Sequence, residues 1–160
     1  MKLFASAVRA MCDANVDFVV IGGLAANLLG SRRTTYDVDF CFARNRDNLH
    51  RLAMALAPLH PRLRGLPPEL PFIWDDRALS NGTVFTLQTD LGDIDLLAEV
   101  AGLGTFDDVK ARSIAVTVFD RTFLTLDLPA LIAAKKAAGR PKDLEALLEL
   151  ESLLEAQEPD

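Results

Sequence analysis

Cysteine is scarce in this chain. Cys12 and Cys41 are its two thiols, too few for a disulfide framework and not spaced as zinc ligands. They read as free thiols in a reducing compartment. Positive charge is also short: 17 Lys and Arg stand against 23 Asp and Glu, for a net charge of −6. That balance excludes the overall basic footprint that drives nonspecific duplex binding, so a nucleic-acid partner needs a local basic surface. No apolar run reaches the length of a membrane span. Lys2, Arg9 and Asp13 interrupt the first apolar stretch, so no secretory segment, no membrane partner and a cytoplasmic location are expected. His50 and His60 share no ligand spacing and read as surface positions. Internal repeats and low-complexity linkers are missing as well.

What is there is ordinary globular material. The chain has 160 residues, 50% hydrophobic and 25% charged, enough for one domain with a real core. We expect a single domain over 1–160, with 127–157 forming a C-terminal helical element. Lys2 to Ala14 carries apolar residues at helical spacing, and Asn15 ends that helix. Asp17 to Ile21 is a short apolar run suited to a buried strand. Leu24 to Leu29 reads as a helix capped by Gly30. Asp37 to Phe42 alternates as a strand, and Asp47 to Leu59 returns to helical periodicity. From His60 to Asn81 the pattern dissolves around Pro61, Pro67, Pro68 and Pro71, which predicts an irregular excursion in which Trp74 covers the core. Two hairpins follow, Thr83–Thr89 with Asp93–Leu97 and Ile114–Phe119 with Thr122–Leu126, separated by a helix at Thr105 to Arg112. Leu128 to Ala138 and Pro141 to Ala156 are helices split by Gly139. The order predicts an α+β fold, a mixed β-sheet flanked by helices and completed by C-terminal helices.

The stretch VIGGLAANLLGSRRTTYDVDF, from Val20 to Phe40, carries more than packing requires. Alternation in a strand puts Asp37 and Asp39 on one face, about 6–7 Å apart at their backbones. Bare carboxylates at that spacing repel, and a divalent cation between them reverses the repulsion. Mg²⁺ accepts carboxylate oxygens together with phosphate oxygens and water, so the pair is half of a phosphoryl-transfer site. The other half is an anion cradle. A strand, Gly22-Gly23 and a helix leave backbone N–H groups free with no Cβ above them, while Ser31 and Arg32 or Arg33 add donors for a triphosphate. Blander readings stay open: a solvated strand edge for the aspartates, a tight turn for the glycines and a loop hydroxyl for Ser31.

Gly22-Gly23 followed by Gly30-Ser31-x-Arg33-x-Thr35-x-Asp37-x-Asp39 resembles the signature of the polymerase-beta-type nucleotidyltransferase superfamily. It is most similar to small bacterial nucleotidyltransferases of the AbiEii-toxin-like group. Lys135-Lys-Ala-Ala-Gly-Arg140-Pro-Lys142-Asp143 resembles that group's C-terminal element, in the right order along the chain. The resemblance implies transfer of a nucleoside monophosphate from a triphosphate to an acceptor hydroxyl. Two Mg²⁺ ions, or Mn²⁺ in their place, are then expected on Asp37, Asp39 and a third carboxylate that acts as general base. Asp95, within Ile94-Asp95-Leu96-Leu97, fits that third position, with Asp93 as the alternative on the same strand face. Gly22, Gly23, Ser31, Arg33, Lys135 and Asp143 match nucleotide-binding positions. As plain sequence, Lys135 and its neighbours also read as a solvated helical face, and Asp143 as a first-turn acid. The implied partners are a nucleoside triphosphate, an acceptor that is either tRNA or a small molecule such as an antibiotic, and, for a toxin, a cognate antitoxin. A catalytically inactive nucleotide-binding or regulatory module remains the alternative.

Overall fold

The computed structural model describes residues 2–157. Phe18–Ile21 forms β1, four consecutive buried residues, as a strand covered on both faces requires. β1 pairs antiparallel with β2 (Val38–Phe42). After β3 (Arg62–Leu63) and β4 (Val84–Gln88) comes β5 (Asp93–Leu97), which runs parallel to β2. β6 (Glu99–Val100) and β7 (Gly104–Thr105) make a separate two-stranded ribbon, and β8 (Ser113–Val118) and β9 (Arg121–Leu126) form the last hairpin. The main sheet has seven strands in the order β3-β4-β5-β2-β1-β9-β8. Its parallel β2–β5 and β1–β9 contacts sit among antiparallel ones. The fold is α+β, a mixed sheet flanked by helices and followed by C-terminal helices.

The helices are α1 (Lys2–Asp13), α2 (Gly22–Leu28), α3 (Arg46–Leu56), α4 (Asp76–Ser80), α5 (Phe106–Ala111), α6 (Leu128–Ala138) and α7 (Pro141–Gln157). Their boundaries follow local chemistry. Leu3, Phe4, Ala7, Val8 and Met11 form the buried stripe of α1, and Asn15 leaves the helix in the left-handed region at φ 57°. The side chains of Asn45 and Asp127 accept backbone N–H groups at the starts of α3 and α6. Gly139, at φ 63°, ends α6 before Pro141 opens α7. No helix among the described residues is long and apolar enough to cross a membrane.

Three differences from the sequence-based expectations are informative. The helix after β1 begins at Gly22 itself rather than at Leu24, so both glycines lie in its first turn. β2 begins at Val38, leaving Asp37 in the loop just ahead of it. Residues 60–81 also contain β3 and α4. β3 is defined by its pairing to β4, a long-range contact that two residues of local pattern do not reveal. Trp74 covers the core as expected, and its indole N–H donates to the Ala53 carbonyl at 2.8 Å.

The core below the site is aromatic. Phe40 is fully buried and meets Phe18 edge-to-face at 5.3 Å, while Phe18 stacks with Phe123 at 6.3 Å. Phe40→Ala leaves a cavity directly under β2. It is expected to lower unfolding free energy by about 3–5 kcal/mol, read from urea denaturation.

Candidate active site

In the parallel β2–β5 pair Asp39 lies directly opposite Asp95. Adjacent strands sit about 4.8 Å apart, so the two carboxylates stand side by side. Val38 and Phe40 turn to the opposite face and are buried there. Burial, then the charge of Asp95 and that of Asp37, push the Asp39 carboxyl up to about 7, while Lys135 pulls it down. Asp39 Oδ1 is buried with no hydrogen-bond partner among the described residues. A buried acceptor left unpaired costs free energy, so this oxygen marks a position where positive charge or a donor is wanted.

The register puts Asp95, rather than Asp93, beside Asp39. Both acids of β5 are held by Arg64, a residue the sequence motifs do not single out. Arg64 Nη2 donates to Asp95 Oδ1 at 2.8 Å and to the Leu87 carbonyl at 3.0 Å, and Nε lies 3.2 Å from Asp93 Oδ2. Its position depends on β3 pairing with β4, within the segment whose local pattern is silent.

The glycine pair has a different reason from the one its sequence suggests. A Cβ built on Gly22 collides with the Asp39 carboxylate, and one on Gly23 collides with the Thr35 side chain. The space above both residues is filled by the protein itself. Gly22 also has φ +68°, a conformation that glycine adopts without strain. The missing side chains therefore let β2 and the loop before it close onto α2.

The C-terminal helices bring cations to the same place. Asp143 is fully buried and accepts from Lys135 Nζ at 3.3 Å, from Arg140 Nε at 2.6 Å and from the Arg140 backbone N–H at 3.2 Å. Burial raises its carboxyl, but the hydrogen bonds from Arg140 and Lys135 outweigh burial and hold it below the usual carboxylate range. Asp143 is thus an anchor for Lys135 and Arg140. Ser31 is also engaged internally. Its hydroxyl donates to Glu149 Oε1 at 2.5 Å and accepts from the Arg33 N–H at 3.2 Å, while Glu149 Oε2 accepts from the Arg32 N–H at 3.1 Å. Arg33 lies 3.8 Å from Glu145 and remains half exposed. Glu149, like Arg64, carried no motif signal, because its role rests on a contact between the last helix and a distant loop.

Two cavities meet at Asp39, Lys135 and Arg140. One, of about 190 Å³, is polar; Arg33, Thr34, Thr35, Asp37 and Lys142 help to line it. The other, of about 210 Å³, reaches Asp95 and Gly22 and is otherwise walled mainly by aliphatic residues. The structure therefore brings Asp37, Asp39, Asp95, Arg33 and Lys135 to one locality, with Asp37 on the polar side and Asp95 on the other. Among the described residues no group of three or more His, Cys, Asp or Glu is placed so that it could together hold a metal ion. The donor set still fits a hard cation, because Mg²⁺ takes one or two protein carboxylates and completes its shell with phosphate and water. The unpaired Asp39 oxygen is the observation that carries this fit.

No protein-family model matches the chain, and no curated protein matches it.

Asp39 has a measurable signature. Its folded pKa lies above the unfolded value, so its contribution to stability is complete below the unfolded pKa and is lost as pH rises through about 7. In metal-free buffer at pH 8, Asp39→Asn is expected to be more stable than the parent by roughly 2–4 kcal/mol, with the gain vanishing near pH 4. Urea denaturation at the two pH values checks it. Asp143→Asn should act in the opposite sense, losing about 3–5 kcal/mol at pH 7 because two cations lose a buried partner.

Proposed function

We propose that the protein is a metal-dependent nucleotidyltransferase, acting in the cytoplasm, that moves a nucleoside monophosphate from a triphosphate to an acceptor hydroxyl and releases pyrophosphate. The observation that carries this reading is Asp39, opposite Asp95 in the sheet and with an unpaired buried oxygen, at the border of a cavity that Arg33, Lys135, Arg140 and Lys142 line beside Asp37 and Glu149. The ordered motif from Gly22 to Asp39 and the Lys135 to Asp143 element, which resemble polymerase-beta-type nucleotidyltransferases, add support.

Asp37, Asp39 and Asp95 would hold Mg²⁺, or Mn²⁺, which when bound supplies the positive charge that stabilises the attacking and leaving oxygens. Arg33, Lys135 and Lys142 bind and orient the triphosphate by charge-assisted contacts in the polar cavity. Asp143 keeps Lys135 and Arg140 directed at the border of the two cavities. The acceptor oxygen attacks the α-phosphorus, and the bond from that phosphorus to the bridging oxygen of the β-phosphate breaks. Pyrophosphate leaves with the electron pair. The acceptor proton passes to Asp95, whose Oδ1 is fixed by Arg64.

One observation favours a second reading. Asp95 is engaged by Arg64 in an ion pair at 2.8 Å rather than open to an incoming hydroxyl, which suits a nucleotide-binding module without transfer. Pyrophosphate release separates the two readings. With Mg²⁺, the four triphosphates and either total tRNA or a panel of small alcohols, the parent protein is expected to release pyrophosphate. Asp95→Asn should slow that release by about 10²–10⁴-fold, and Asp39→Asn should abolish it. Binding of a triphosphate without any release favours the module, and full activity of Asp39→Asn removes the proposed site.

A further inference from the structure

The two cavities that meet at Asp39 differ in chemistry, and the difference says which reactant goes where. The polar one offers Arg33, Lys142 and two threonine hydroxyls beside Lys135, which suits a polyanion. The other lies between the end of the sheet and α6. Ile21, Leu97, Val100, Leu126, Leu131 and Ala134 form its walls, and its acids are Asp39 and Asp95 at the border and Asp143, which is consumed by Lys135 and Arg140. We propose that this second cavity takes a compact, uncharged molecule with an apolar body and a hydroxyl group, and that this molecule is the acceptor of the transfer. The proposal rests on the nucleotidyl-transfer reading above.

Three observations converge. The cavity's walls contribute no neutral polar side chain, so a nucleobase there would lose the partners of its ring edge, and unpaired polar edges are strongly selected against. The only cations in its lining, Lys135 and Arg140, are both engaged by Asp143, whereas the polar cavity adds Arg33 and Lys142, so a phosphate-bearing chain has less to hold it here. An uncharged alcohol meets neither penalty: its body is buried against aliphatic walls, and its hydroxyl has Asp95 as acceptor. The volume of about 210 Å³ falls below the roughly 300–1,000 Å³ of drug-sized pockets, so the acceptor is small.

The room exists because α6 presents alanine there. Ala134 is half-buried on the cavity wall and Ala138 is exposed at its mouth. Ala134→Leu should fill the space, and Ala138→Leu, which is less exposed to a folding penalty, should narrow the entrance. Methyl NMR of the parent protein is expected to show saturable shifts at Leu97, Leu131 and Ala134 with millimolar 2-phenylethanol and none with glycerol. At least one of the two variants, checked for folding by its thermal transition, should weaken that binding about tenfold or more. ATP with Mg²⁺ should instead shift signals around Arg33 and Thr35. Absence of alcohol binding, equal binding in both folded variants, or ATP shifts at the aliphatic walls overturns the acceptor assignment. Transfer to tRNA that both variants perform as well as the parent overturns it too, while leaving nucleotidyl transfer standing. If ATP shifts nothing and no pyrophosphate is released, the transferase reading itself fails.

Discussion

Two aspartates held side by side on parallel strands are the constraint to which the rest of the molecule answers. Asp39 and Asp95 are aligned by register and cannot move apart without unpairing β2 from β5. Each neighbour of the pair reduces a repulsion that strand geometry creates. Arg64 neutralises Asp95 from the edge of the sheet, Lys135 approaches from α6, and Asp39 retains its proton to a higher pH than an ordinary carboxyl does. The hydrophobic side of the same strand makes this arrangement affordable. Phe40 and Val38 lock β2 into a core of stacked and edge-on rings, so burial energy holds charges where electrostatics alone would scatter them.

The fold was legible wherever the signal was local. Apolar periodicity, capping residues and the Gly139–Pro141 junction marked the helices, and alternation marked β2, β4 and β5. Apart from the short α4, whose Asp75 cap is local, the parts that stayed hidden are those made by contacts distant in sequence. The choice between Asp93 and Asp95 required the register of two strands that are not consecutive. Arg64 required the edge pairing of β3, and Glu149 required α7 to lie against the loop after α2. The glycine pair shows a different limit. Its two missing side chains were visible in the sequence, but what occupies their space was not, since Asp39 and Thr35 arrive from elsewhere. A short helix beginning at Gly22 therefore serves first to admit the carboxylate.

Asp143 illustrates how one sequence pattern carries two meanings. An acid in the first turn of a helix is common on electrostatic grounds alone. Here the residue is sealed from solvent and receives both Lys135 and Arg140 across the α6–α7 junction. Its worth lies less in net stability, which desolvation erodes, than in fixing where two long cationic side chains point.

Glu149 ties the last helix to Ser31 and to the Arg32 amide, on the loop that leads to Asp37. Two segments far apart in the chain are thereby welded into a single mechanical unit. α7 thus acts as a brace for the loop that feeds the first carboxylate, in a site whose Asp37, Asp39 and Asp95 all precede residue 100.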